Sequence, residues 1–278
     1  MPDLRITFLG TGAGNCIYRA HTAIALECPD GTRILLDAGS GNTVITNGVK
    51  MGLLAQDFQQ VLLTHQHGDH MGGLPHIQGQ RTMADPDGLP LQIFASEEAL
   101  QKVELLFHAT SITHSVNQDG VATAQGRQVA AWSPVQAGQW IALSDSVQAS
   151  PFAVDHIPGA MGWRVNAGDT SVVFSGDTRF CPQVAEAAQG ATVLIHEVFS
   201  TEADREDTKR RGHCTAAEAG QTATQAGVSQ LILTHIDSPF HLDQQPLIDE
   251  ARRFFDGPIS VASDLYQVSV PQVSVPGQ

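Results

Sequence analysis

The chain has 278 residues, 42% of them hydrophobic and 16% charged, enough to bury a core as one large domain or two small ones. Lys and Arg number 15 against 29 Asp and Glu, for a formal charge of −14 and a pI near 5.1. That balance disfavours nucleic acid at long range unless a local basic stripe intervenes, and no apolar run approaches the ~20 residues of a membrane span. In chain order, 5–9, 22–27 and 32–37 read as strands. Met1-Pro2-Asp3-Leu4-Arg5 enters the first at once, without the basic start and apolar stretch of a secretory leader. A fourth strand, 59–63, ends in Val61-Leu62-Leu63 and runs into Thr64-His65-Gln66-His67-Gly68-Asp69-His70-Met71-Gly72. A strand that ends in a polar loop sends alternate side chains the same way, so His65 and His67 can grip one metal ion. Asp69 and His70, at the start of a helix over 69–78, can turn toward a second. Imidazole and carboxylate at this density suit zinc and similar borderline ions.

Further along, 97–109 reads as a helix. The stretch 76–135 holds Arg81, Lys102 and Arg127 against Asp85, Asp87, Glu97, Glu98, Glu104 and Asp119, with no basic cluster and no glycine-rich stalk. His108 and His114 are expected on a helix or lid between the halves of the site, and His21 is placed to line it. Three more apolar segments close on metal-type residues: His156 before the strand Gly162-Trp163-Arg164-Val165, Asp177 after Val172-Val173-Phe174, and His235 after Leu231-Ile232-Leu233. Val193-Leu194-Ile195 closes on His196-Glu197. Arg205 and Lys209-Arg210-Arg211, interleaved with Glu202, Asp204, Glu206 and Asp207, read as a solvated mixed-charge loop, with one arginine reaching an anionic substrate as the alternative. Helices follow at 182–189, 215–226 and 246–255, the last with Asp243 as cap and Gly257 as stop. Strands at 259–262 and 266–270 close the sheet. No linker divides the pattern, so 1–278 reads as a single interleaved domain. Cys16, Cys28, Cys181 and Cys214 show no paired spacing, which fits reduced thiols in a cytoplasm.

H-x-H-x-D-H after an apolar strand resembles the signature of the metallo-β-lactamase superfamily. The resemblance implies an α/β fold, a four-layer αββα sandwich with two mixed β-sheets and the metals at one edge. It implies His65, His67 and His156 on one metal, Asp69, His70 and His235 on another, and Asp177 bridging. The ions implied are two zinc, with manganese or iron as substitutes. His196-Glu197 and Gly212-His213-Cys214-Thr215 further resemble the His-Glu-Ala-Thr and Gly-His-Ser-Thr boxes of the branch that holds ribonuclease Z, zinc phosphodiesterases and arylsulfatases. In that branch the resemblance gives His213 the role of acid to the leaving oxygen, held by Glu197, and Asp69 the orientation of the nucleophile. The chemistry asks for such a pair. A metal activates the attacking water, but an alkoxide leaves a phosphodiester poorly unless an acid stands by, and a carboxylate keeps the histidine charged and oriented.

Departures from the pattern shape the expected substrate. Val198-Phe199 stands where the branch has Ala-Thr, and Cys214 where it has serine. Leu9-Gly10-Thr11-Gly12-Ala13-Gly14 resembles the branch's opening loop, but in 15–22, where a Pro-x-Lys-x-Arg-Asn element is usual, only Arg19 is basic. The arm with which transfer-RNA processing members clamp the tRNA has no counterpart in 76–135, and phosphate-backbone affinity depends on Lys and Arg. The leading expectation is therefore a dinuclear-zinc hydrolase of a small anionic phosphodiester or sulfate ester, with no membrane partner. The alternatives are a tRNA 3′-end endonuclease, acting as a homodimer that supplies binding surface from its second subunit, and a lactone, thioester or β-lactam hydrolase. Oxidative iron chemistry is disfavoured, because diiron relatives carry glutamate where His67 stands. A Cys214–His213 nucleophilic pair is disfavoured too, since activated water already fills that role.

Overall fold

The central strands are apolar on both faces, and a period of two sends the faces to different cores. Ile24 and Leu26, Ile34 and Leu36, Val172 and Phe174, and Val193 and Ile195 enter one core. Their neighbours Ala23, Ala25 and Leu35 enter a second, and Val173 and Leu194 a third. Two sheets packed face to face, each covered by helices, satisfy all three cores.

The computed structural model describes residues 3–110 and 114–272. Met1 and Pro2, of the segment read for a leader, and residues 111–113, of the 76–135 stretch, lie outside them. The first sheet contains β1 (Leu4–Gly10), β2 (Ala23–Glu27), β3 (Arg33–Leu36), β4 (Gln60–Leu62), β5 (Leu91–Ala95), β6 (His114–Asn117), β7 (Gly120–Thr123) and β8 (Gln128–Pro134). The second contains β9 (Ile141–Ala142), β10 (Val147–Ala153), β11 (Met161–Ala167), β12 (Thr170–Phe174), β13 (Val193–Glu197), β14 (Gln230–Thr234) and β15 (Ile259–Val261). The chain then returns with β16 (Gln267–Val270) to the edge of the first. The spatial orders are β16-β1-β2-β3-β4-β5-β8-β7-β6 and β15-β14-β13-β12-β11-β10-β9. Helices α1 (Thr43–Lys50), α2 (Gly68–Met71), α3 (Leu74–Ala84) and α4 (Glu97–Thr110) belong to the first half of the chain, and α5 (Pro182–Ala187), α6 (Arg205–Arg211), α7 (Ala216–Ala226) and α8 (Gln245–Arg252) to the second. The result is the expected αββα sandwich with mixed sheets. Among the described residues, no helix is long and apolar enough to cross a membrane.

Strand direction places the site. β3, β4, β5 and β8 are mutually parallel, as are β12 through β15. β10 runs with β12, because antiparallel β11 lies between them. The C-terminal ends of these strands therefore share one rim, which carries residues 37, 64–72, 156, 177, 197 and 235. The two sheets are tied there: Met161 N donates to Thr64 O at 3.0 Å, and Trp163 Nε1 to Leu63 O at 3.1 Å. Trp163 is fully buried. Trp163→Ala should cost about 3–5 kcal/mol of stability, the usual range for emptying a large aromatic site. Urea unfolding checks this, and a loss under about 1 kcal/mol would mean the rim tie contributes little.

Several elements differ from the sequence reading. The single helix over 69–78 is two, broken at Gly72-Gly73, because this backbone turns to pair with residues 38–39: Ala38 N donates to His70 O and Gly73 N to Gly39 O. α8 stops at Arg252, short of Gly257. The Arg252 guanidinium draws in the carbonyls of Phe255 and Asp256. The N-cap is Gln244 rather than Asp243, which stands one residue earlier and accepts from Gln245 N. The basic stretch is the helix α6 rather than a loop, held by Arg210 and Arg211 on Asp207 one turn back. α1, β5 and the β6–β8 edge were not read from the sequence. His108 and His114 do not form a lid. α4 starts at the metal rim and runs back, and His114 pairs with Thr123 at the β8 entry side, so both sit at the opposite end of the sheet.

Candidate dinuclear metal site

The seven residues proposed as ligands come together at the rim. His65, His67, His156 and Asp177 form one group and Asp69, His70, Asp177 and His235 another, each with its ligand atoms within 4.8 Å of one another. Asp177 Oδ2 is common to both. It stands 3.7 Å from His65 Nε2 and 3.9 Å from His156 Nε2. On the other side it stands 3.3 Å from both His70 Nε2 and His235 Nε2. Asp69 Oδ2 lies 3.4 Å from His70 Nε2 and 3.6 Å from His235 Nε2. Atoms bound at ~2.0–2.1 Å around a tetrahedral ion stand about 3.3–3.4 Å apart, so the spacing fits a shared ion on each side.

Unpaired atoms make the same point. His70 Nε2, both ring nitrogens of His235 and Asp177 Oδ1 are buried without a hydrogen-bond partner. An unmet buried polar group costs about 1–3 kcal/mol, and an ion is one standard explanation. Charge states at the first group also suit metal binding, whereas at the second Asp177, Asp37 and Asp69 raise His70 against its burial. Burial pushes His65 well below the usual histidine range, with His70 adding to the effect, and burial also lowers His67 and His156. The shifts favour the neutral ring, the form a cation needs. Burial opposes ionisation of Asp177, but His235 and His70 hold it well below the usual carboxylate range. Asp69 is likewise held ionised by His70 and His235 against its burial.

One residue missed by sequence reasoning organises both halves. Asp37, fully buried at the end of β3, accepts from His70 Nδ1 at 2.7 Å and from Thr64 Oγ1 at 2.8 Å. Thr64 Oγ1 in turn accepts from His65 Nδ1 at 2.9 Å. Both rings are thereby fixed with Nε2 facing the cluster. The signal was present: Leu35-Leu36-Asp37 is one more apolar strand ending in an acid. Asp37 has φ 56 and His235 φ 61, sparsely populated conformations that cost on the order of 1–3 kcal/mol and cluster at functional sites. Asp37→Ala should weaken zinc binding roughly 10–100-fold, the usual penalty for losing such a support. Competition against a chelator measures it, and unchanged affinity would remove Asp37 from this role.

Glu197 and His213 meet beside the cluster, with His213 Nδ1 donating to Glu197 Oε1 at 2.9 Å. Burial opposes charge on His213, but Glu197, by its charge and by this bond, raises the histidine to about 9. Glu197 is pinned by a bond from Thr178 N to its Oε1 and by its own N–H, which donates to Ser175 Oγ. Gly212, at the left-handed end of α6 with φ 94, takes His156 Nδ1 on its carbonyl. A Cβ there would stand 2.7 Å from that nitrogen. Phe199, where the branch has threonine, stacks on His213 at 4.8 Å and 7°, under the Arg211 guanidinium. Sequence alone gave no reason to pair these rings. Arg205 is engaged by Glu202 and Glu218, and Arg210 and Arg211 by Asp207, so the basic stretch turns to its own acids. Cys214 is fully buried, which pushes its thiol well above the usual range. It is a packed thiol, not a nucleophile.

Fold and rim together define a metal-dependent hydrolase of the metallo-β-lactamase type. Residues 32–236 match the model of the β-lactamase superfamily domain, and the chain belongs to that family. The ribonuclease Z of Haloferax volcanii is 29% identical over an alignment of 316 residues, covering 99% of this chain and 98% of that protein. Among solved structures, the metallo-β-lactamase fold protein YhfI of Bacillus subtilis matches with TM-score 0.77 at 19% identity, over 96% of this chain and 99% of that one. The short form of human tRNase Z matches with TM-score 0.73 at 22% identity, over 96% and 100%. The two structural likenesses speak for the fold.

Proposed function

We propose that the protein is a dinuclear-zinc phosphodiesterase of the ribonuclease Z kind, cleaving at the 3′ side of an RNA. The Glu197–His213 pair beside the metal cluster carries this reading, because a ribose oxygen departs poorly without a proton. The curated relative of nearly equal extent supports the RNA substrate over the small ester that net charge alone suggests. His65, His67 and His156 would hold one ion and Asp69, His70 and His235 the other, with Asp177 between. Such ions supply a water acidified toward neutral pH and charge neutralisation at the ester. Asp69 accepts a hydrogen bond from the attacking water and orients it. Glu197 keeps the proton on His213, whose Nδ1 is committed to it, leaving Nε2 to deliver a proton to the departing oxygen. The four cysteines, all free and buried, support a cytoplasmic location as part of the same proposal.

A small-molecule diester is the second reading. It is favoured by the charge of −14 and by the 316-residue alignment, longer than this chain, so that the Haloferax protein carries insertions this one lacks. A precursor tRNA with a 3′ trailer, assayed beside bis(p-nitrophenyl) phosphate and p-nitrophenyl sulfate, separates the two. Trailer removal at low enzyme concentration is the expected result, and turnover of the nitrophenyl diester alone would favour the second reading. Turnover only of a lactone or thioester would sink both.

The pH profile tests the acid. With His213 raised to about 9, the proton is present below that value and lost as pH rises through it. Glu197→Gln removes the charge that raises it, so the alkaline limb of kcat/KM on a poor-leaving-group diester should move to lower pH. A limb that stays in place would assign it to another group.

A further inference from the structure

Two loops rooted in the metal rim carry an aromatic pair, Tyr18 exposed and His241 half-buried, that the chemistry above does not use. Gly14 approaches the rim so closely that a Cβ there would lie 2.9 Å from Asp69 Oδ2. Four residues on, the Tyr18 ring stacks on His241, centroids 4.8 Å apart and planes at 19°. His241 lies six residues beyond His235. The loops are joined at their base: Ala13 N donates to Ile236 O, Ser238 Oγ accepts from Ile17 N and donates to Asn15 O, and Asp237 fixes Ser238 N. Around the pair, Ile17 is 81% exposed, Tyr18 59% and Leu242 91%. Neither 14–18 nor 236–245 contains Lys or Arg. The nearest cation in sequence, Arg19, turns inward to Thr11 Oγ1 and Ala262 O. This wall offers ring faces and apolar surface, and no positive charge.

We propose that Tyr18 and His241 form a stacking platform for the nucleobase next to the scissile ester, so that the substrate is held at its metal end by the phosphate and at its outer end by a base. Tyr and His faces are standard partners for unstacked bases. Stacking is tolerant of base identity because every base has a π-face, so the platform selects for a nucleotide without selecting its sequence. It suits an acidic protein, because stacking does not rely on the Lys and Arg contacts that grip a phosphate backbone. The inference rests on the phosphodiesterase reading for the position of the phosphate.

Calorimetric titration of the zinc-loaded protein with AMP and with ribose 5-phosphate tests it. The wild type should bind AMP roughly 5- to 150-fold more tightly, the range that base stacking on an aromatic ring provides. The double variant Tyr18→Ala, His241→Ala should lose that preference while keeping its affinity for ribose 5-phosphate, and Tyr18→Phe should retain it. Equal binding of the two monophosphates by the wild type, no detectable binding of either, or equal weakening of both in the double variant overturns the platform. Hydrolysis of bis(p-nitrophenyl) phosphate by the same wild-type preparation reports on the phosphodiesterase reading alone. An AMP preference without hydrolysis sinks that reading, and hydrolysis without the preference sinks the platform.

Discussion

His213→Ala should slow hydrolysis of an alkyl or nucleotide diester by roughly 10²–10⁴-fold, the contribution of a positioned general acid. A nitrophenyl ester should suffer much less, because nitrophenolate departs without a proton. Glu197→Ala should follow the same pattern, since its carboxylate, 2.9 Å from His213 Nδ1, is what keeps that ring charged and oriented. Metal content should not change in either variant. That last measurement matters, because Glu197, His213 and His235 also lie close enough together to count as a possible ligand group. A variant that loses metal, or slows both ester types equally, would make His213 a ligand or a substrate-binding group and leave the site without its acid.

Asp177→Ala should behave in the opposite way, losing metal and activity together on every substrate. The carboxylate is within 3.3–3.9 Å of four histidines and is the one group shared by both halves of the cluster. Its removal should exceed the roughly 10–100-fold penalty of losing a supporting residue such as Asp37. Elemental analysis should fall below the about two ions per chain expected of the wild type. Chelation should lower the melting temperature of the wild type and leave that of the variant nearly unmoved, because a ligand stabilises only the state that binds it. Full metal content in the variant would remove Asp177 from the bridging position.

The sequence by itself determined the metal loop and its context. Val61-Leu62-Leu63 before His65, and the apolar runs before His156, Asp177 and His235, are local patterns, and a strand that must be buried on both faces can place polar ligands only where it ends. The α/β class came with the resemblance that these motifs carry to the metallo-β-lactamase superfamily. What the tertiary structure alone decided are the pairings across long sequence separations. Asp37 supports His70 and, through Thr64, His65, because β3 and β4 happen to be parallel neighbours. Glu197 reaches His213 because β13 ends at the rim where α6 also ends. Tyr18 meets His241 because loops at opposite ends of the chain leave that rim together. The broken helix at Gly72-Gly73 and the placement of His108 and His114 far from the site have the same origin. Periodicity reports which face of an element is buried, but not which neighbour buries it, and that neighbour is set by the packing of the two sheets.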